Sequence, residues 1–244
     1  MIIIPARLES TRFPQKALCD IGGLPMVVRT ALNAREVDSV VVACDDERIA
    51  QVCKEHKIPY VMTDKSHTSG TDRCAEAARK LGLKNDEIVI NVQGDEPFLE
   101  HNVISTLMNL MKEKQPFMGT LAKVISESSV ADSNLVKVVL NVYNEAIYFS
   151  RASIPFHRDK DSKAMEQTPY LGHLGIYGFY AKTLQEFCSL PKSPIEDIEK
   201  LEQLRAIYHR KTIALAVVET KSVGIDTPQD YERALAYLKY IDSK

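Results

Sequence analysis

The chain has 244 residues, 45% of them apolar and 26% charged, with 31 basic and 33 acidic side chains and a formal net charge of −2. That length holds one large α/β unit and buries a core without staples. The even charge balance, with no Lys/Arg block, argues against a nucleic-acid-binding protein, and no apolar run approaches membrane-spanning length.

Residues 2–4 form a short apolar run ending at Pro5, which reads as a buried first strand. Helical spacing of apolar residues follows over 25–35, then a strand over 37–44 and a helix over 46–56. A short strand at 60–62, a helix over 71–81 and a β-branched strand over 87–92 continue the rhythm. Such alternation predicts an α/β fold with a mostly parallel central sheet and helices on both faces. The second half is less regular. Strands are expected at 117–124, 136–140, 146–149, 175–180 and 212–218, with a polar, irregular excursion over 150–170. Ser193-Pro194 and Thr227-Pro228 each predict a helix start, because the hydroxyl caps and proline suits the first helical position. The first of these helices is expected to place Ile195, Ile198, Leu201 and Leu204 on one face; the second carries Tyr231, Ala234, Leu235, Leu238 and Ile241 as a stripe. There is no repeat and no linker, so one domain over 1–244 is expected.

Five cysteines without a CxxC pair argue against both a disulfide framework and a cysteine zinc site. The opening apolar run is too short for a signal peptide, and a cytoplasmic location is the expectation.

Four stretches carry chemistry. After the first strand, Arg7, Arg12 and Lys16 put three cations within ten residues, at the strand end where open parallel sheets bind ligands. Guanidinium and ammonium donors suit a triphosphate, although a solvated basic loop has the same composition. The loop is neither a Walker A motif nor GxGxxG. After the β-branched strand, Gln93-Gly94-Asp95-Glu96 places carboxylates at the same sheet edge, where Asp95 suits Mg²⁺ beside phosphates; a plain turn would look alike. Asp226, just before the last helix, is a second possible ligand or simply an acidic residue at a helix start. Arg151 and His173 together could hold a carboxylate, while a lone histidine is more often structural.

The motifs IIIPARLESTRFPQKAL, HTSGTDR, INVQGDEP, VKVVL, FSRASIP, HLGIYGF, LEQLR and GIDTPQD occur in this order over nearly the whole chain. In them the chain resembles the 3-deoxy-manno-octulosonate (Kdo) cytidylyltransferase family. The resemblance implies a Rossmann-like nucleotidyltransferase fold in which residues 125–185 hold the sugar-pocket and dimerisation section. It implies CTP binding by Pro5, Ala6, Arg7, Ser69, Gly70, Thr71, Arg73 and Gln93. Arg73 would lie near the base, and Arg12 and Lys16 would stabilise the triphosphate. Gln93 would sit between nucleotide and sugar, and Asp95 and Asp226 would bind Mg²⁺. Arg151, His173, Tyr177, Glu202 and Gln203 would line the Kdo pocket. A homodimer, two small-molecule substrates (CTP and Kdo) and a role in lipopolysaccharide synthesis complete the expectation. A sialic acid or 8-amino-Kdo enzyme and a silent nucleotide-binding module are the alternatives. Leu24, Gln229 and Phe179 depart from the family's common residues.

Overall fold

A computed structural model describes residues 1–9, 13–158, 168–222, 224–225 and 227–242, with the side chains of 239–242 excepted. Its centre is a nine-stranded sheet. Strands β1 (Ile2–Ala6), β2 (Val40–Cys44), β3 (Tyr60–Met62) and β4 (Ile88–Asn91) are parallel neighbours in the order β3-β2-β1-β4. Every residue of β1 and β2 is buried. That matches their unbroken apolar sequence, since helices cover both faces of such strands. Helices α1 (Met26–Arg35), α2 (Glu47–Glu55) and α3 (Gly70–Lys80) make the crossovers, and the N-caps Asp46 and Ser69 start α2 and α3.

Beyond β4 the sheet turns mixed. Strand β8 (Leu171–Tyr180) runs antiparallel between β4 and β5 (Met118–Val124), and β9 (Ile213–Val217) runs parallel to β5 at the edge. Strands β6 (Lys137–Leu140) and β7 (Ala146–Ser150) form a hairpin attached to the start of β8. The long β8 begins four residues before the expected strand, because its first half pairs with β5 and β6 rather than with β4. Helix α4 (His101–Lys114) was not expected from sequence; it buries Val103, Ile104, Leu107, Leu110 and Met111 on the sheet. Gly119 and Gly178 pair across β5 and β8, and a Cβ on either would come within 2.6–2.7 Å of Met111, so the two glycines let α4 sit close.

Helix α5 (Ala181–Ser189) follows β8, and α6 (Pro194–Glu199) and α7 (Leu204–Tyr208) follow in turn. The Ser193-Pro194 start is a full capping box with Glu196. The expected continuous face over 195–204 is not formed. Lys200 adopts φ 54° and ends α6, which leaves Ile198 79% exposed while Leu201 and Leu204 are buried. Thr227 caps α8 (Pro228–Asp242) reciprocally with Asp230. The excursion at 150–170 is irregular where described, and its residues 159–167 lie outside the described residues.

Candidate functional site

The loop after β1 leaves the carboxyl end of that strand, next to the carboxyl end of β4. A cleft of about 230 Å³ opens there. Pro5, Ala6, Arg7 and Lys16 form one side, residues 67–70 and Arg73 a second, and Gln93, Gly94 and Asp95 a third. Three motifs far apart in sequence therefore share one cleft. Lys16 Nζ lies 2.5 Å from Asp95 Oδ2, so the basic loop and the carboxylate are in direct contact. Arg12 lies outside the described residues.

Ser69 caps α3: its Oγ accepts from Asp72 N–H at 3.0 Å and donates to Asp72 Oδ2 at 2.8 Å. Ser69 and Gly70 line the cleft, so the positive end of α3 lies beside it. A Cβ on Gly70 would stand 3.0 Å from Pro5 Cγ, so glycine lets α3 abut the end of β1. Two of the residues expected to bind the nucleotide have their polar groups on protein partners. Thr71 is 1% exposed, and its hydroxyl donates to Glu202 Oε1 at 2.6 Å instead of reaching the cleft. Arg73 lines the cleft but is 2% exposed; its guanidinium donates to Thr63 Oγ1, Asp64 O and Asp45 Oδ2. Its cation is therefore taken up by protein acceptors.

A second cavity, of about 410 Å³, contains His173, Tyr177, Glu202 and Gln203, together with Glu96, Lys200 and the 134–136 segment. Gln93 lines the first cleft and also a small pocket shared with Glu96, so these two residues mark the junction of the two spaces. A relay also joins them: Gln93 Nε2 donates to Asn91 Oδ1, Asn91 Nδ2 to Thr71 Oγ1, and Thr71 to Glu202. Arg151 is not among the lining residues. Its Nε donates to Glu199 O at 2.7 Å and its Nη1 to Ser133 O at 2.9 Å, which ties together two walls of the cavity. Lys137, fully buried, donates to Asp132 O, Leu135 O and Arg151 O and fixes the same walls.

The polar groups of this cavity are set by burial. Tyr177 Oη donates to Gln203 Oε1 at 3.1 Å, and Gln203 Nε2 is buried with no protein acceptor. A buried amide of that kind costs stability unless a ligand accepts its hydrogen bond. Burial also raises the Glu202 carboxyl, against the lowering effect of the Thr71 hydrogen bond. His173 packs edge-on to Phe149, and burial pushes its imidazole down to about 3. It is neutral at pH 7, so any part it takes in holding a carboxylate is as a hydrogen-bonding group and not as a cation. The Thr120 hydroxyl donates to Ile176 O at 2.8 Å, so it accepts from His173 Nε2–H at 2.9 Å, which makes Nδ1 an acceptor. The unfolded imidazole binds a proton below about pH 6.5 and the folded one does not until about pH 3. The contribution of His173 to stability is thus complete above about 6.5 and declines as pH falls from there. We expect a His173→Gln variant to show a flatter melting temperature between pH 7 and pH 4 than the parent; identical slopes would refute the assignment.

Ile225 N–H donates to Asp95 O at 2.9 Å, which brings the GIDTPQD motif to the Asp95 turn. Gly224 allows close packing there: a Cβ would stand 2.8 Å from Glu96 Oε1. Asp226 itself lies outside the described residues. Glu96, expected with Asp95 at this sheet edge, lines the junction. Asp45 and Glu76 were not singled out by sequence: Asp45 holds Arg73, and Glu76 is bonded at 2.5 Å to His67 in the cleft. Burial would raise the Glu76 carboxyl, but hydrogen bonds from Lys80, Asp64 N–H and His67 outweigh it and bring it down to about 2.

The sequence profile of the cytidylyltransferase family matches residues 1–213. A 3-deoxy-manno-octulosonate cytidylyltransferase of Helicobacter pylori is 60% identical over 236 residues, 96% of each chain. One of Wolinella succinogenes is 53% identical over 242 residues, 96% of this chain and 98% of that one. Among solved structures, a CMP:2-keto-3-deoxy-manno-octonic acid synthetase complexed with CTP superposes with a TM-score of 0.90 at 38% identity, covering 98% of both chains.

Proposed function

The chain belongs to the 3-deoxy-manno-octulosonate cytidylyltransferase family, and from that premise we propose that it transfers CMP from CTP to the anomeric hydroxyl of Kdo and releases pyrophosphate. The observation that carries the reading is the meeting of two spaces at Gln93 and Glu96, a cation-lined cleft on one side and a polar cavity on the other. The nucleotide occupies the first and the sugar the second. The sugar hydroxyl attacks the α-phosphorus and releases its proton to solvent, the P–O bond to the β-phosphate breaks, and its pair of electrons leaves with pyrophosphate.

Both substrates are anions, and two unit charges about 4 Å apart repel by roughly 4 kcal/mol near a protein surface. The protein's task is to offset that repulsion and to hold the reacting atoms in line. Lys16 and Arg12 stabilise the leaving phosphates, and the amides at the start of α3 add a fixed positive end. On the sugar side Gln203 Nε2 donates, while His173 Nδ1 and Glu202 accept hydroxyls. Lys200 on the lining serves the sugar carboxylate, and Arg151 joins it by exchanging a carbonyl for the ligand.

Asp95 and Asp226 hold Mg²⁺ in this reading. The fit is supported by a hard carboxylate at the cleft and by the Ile225–Asp95 hydrogen bond, which brings the residue preceding Asp226 to the same turn. Mg²⁺ takes one or two protein carboxylates and completes its shell with phosphate and water oxygens. When bound it supplies positive charge at the α-phosphate. The whole chain acts as one domain, as a cytoplasmic homodimer, with strands from both ends of the sequence in one sheet.

Pyrophosphate release with CTP and Mg²⁺ should be greatest with Kdo in a panel that includes N-acetylneuraminate and 8-amino-Kdo, and lower with ATP, GTP or UTP. Faster turnover of N-acetylneuraminate, or none with any sugar, would reject the reading.

A further inference from the structure

Asp45 is the first residue after β2, at the carboxyl end of the strand that pairs with β1. Its side chain is 12% exposed. Oδ1 accepts the backbone N–H of Leu8 at 3.1 Å, and Oδ2 accepts Arg73 Nη2 at 2.9 Å. Arg73 also donates to Thr63 Oγ1 at 2.6 Å, just beyond β3. One carboxylate–guanidinium pair therefore joins the loop after β1, the ends of β2 and β3, and α3. Leu8 adds a buried side chain to the anchor. At its far end the basic loop is tied a second time, by Lys16 to Asp95. The sequence between the ties contains Arg12.

We propose that Asp45 is a positioning residue for the nucleotide: with Arg73 it fixes the start of the basic loop and so sets where the loop's cations meet the triphosphate. The proposal deepens the cytidylyltransferase reading and rests on it. The chemistry of the site calls for a carboxylate. Both oxygens of Asp45 accept, from two donors that point at it. Asparagine has one acceptor oxygen and one NH₂, so it satisfies one donor and opposes the other. It also removes the charge that faces a guanidinium which stays protonated.

Steady-state kinetics test this. Asp45→Asn should raise KM for CTP about tenfold, as expected for losing a partly buried charge-assisted hydrogen bond. The inhibition constant of pyrophosphate, which meets the same cations, should rise in parallel. KM for Kdo at saturating CTP should stay within about twofold, because the sugar cavity does not include this anchor. The double variant Asp45→Ala with Arg73→Met, which leaves no buried charge unpaired, should show the same selective loss. An unchanged KM for CTP in either folded variant would overturn the proposal, and so would an equal rise in both KM values. Parent turnover of CTP with Kdo is the measurement that decides the functional reading. The difference between parent and variant decides the role of Asp45.

Discussion

Replacing Asp95 with Asn is expected to lower kcat by roughly 10²- to 10³-fold, the size of effect seen when one charge-stabilising group is removed from a reacting centre. The fold should survive. The Asp95 side chain is 25% exposed, and its ion pair with Lys16 is partly solvated, so it contributes about 1 kcal/mol or less. The main-chain anchor does not involve the carboxylate, since Ile225 N–H bonds to the Asp95 carbonyl. Asparagine keeps the volume and that carbonyl but lacks the negative charge that holds a hard cation. The loss should therefore fall on kcat and on the Mg²⁺ concentration needed for half-maximal rate, with little change in melting temperature. Asp226→Asn should behave alike in the same assay. Purified Asp95→Asn enzyme with near-parental turnover would remove the metal from this side chain.

The parallel half of the sheet was readable because its signal is local. Apolar or β-branched runs such as 2–4, 37–44 and 87–92, the first two followed by a helical stretch, admit few other folds. The capped starts at Ser193 and Thr227 were readable for the same reason. Helix α4 is less legible although Val103, Leu107, Leu110 and Met111 recur at helical spacing, because its start at Glu100 has no side-chain cap and no acidic first turn to mark it. The broken face at Ile198 depends on one backbone angle at Lys200, a non-glycine residue with no sequence mark. In the site, the motifs identified which segments converge but not which side chains touch. Arg73 carries a charge that suits a nucleotide, yet its partner Asp45 is 28 residues away on another strand end. Thr71 sits in a nucleotide motif, yet its hydroxyl serves Glu202, 131 residues on. Such pairings arise from packing and leave no spacing to read.

Glu196→Ala should be the most destabilising single substitution among the polar residues discussed, by about 3–5 kcal/mol, the range for breaking a buried ion pair from one side. Glu196 Oε2 accepts Arg205 Nε at 2.9 Å and Oε1 accepts Nη2 at 2.5 Å, and both side chains are at most 9% exposed. The hydrogen bonds to Glu196 raise the already high Arg205 pKa despite partial burial. Removing the acid leaves a guanidinium that cannot lose its proton, 4.8 Å from the Phe187 ring centroid, with its hydrogen-bonded carboxylate gone and only the longer-range charges of Asp72 and Glu202 facing it. It also removes the side chain that accepts Ser193 N–H in the capping box. Arg205→Met should cost less, because the carboxyl left behind can take up a proton. Glu196→Gln, which keeps the cap but not the charge, should fall between the parent and Glu196→Ala. The pair spans the turn that presents Glu202 and Gln203 to the sugar cavity, so the surviving fraction of these variants should show a raised KM for Kdo before any change for CTP. Denaturant unfolding measures the first effect and initial rates the second. A loss below about 1 kcal/mol in Glu196→Ala would mean that the pair is solvated and does not hold the turn in place.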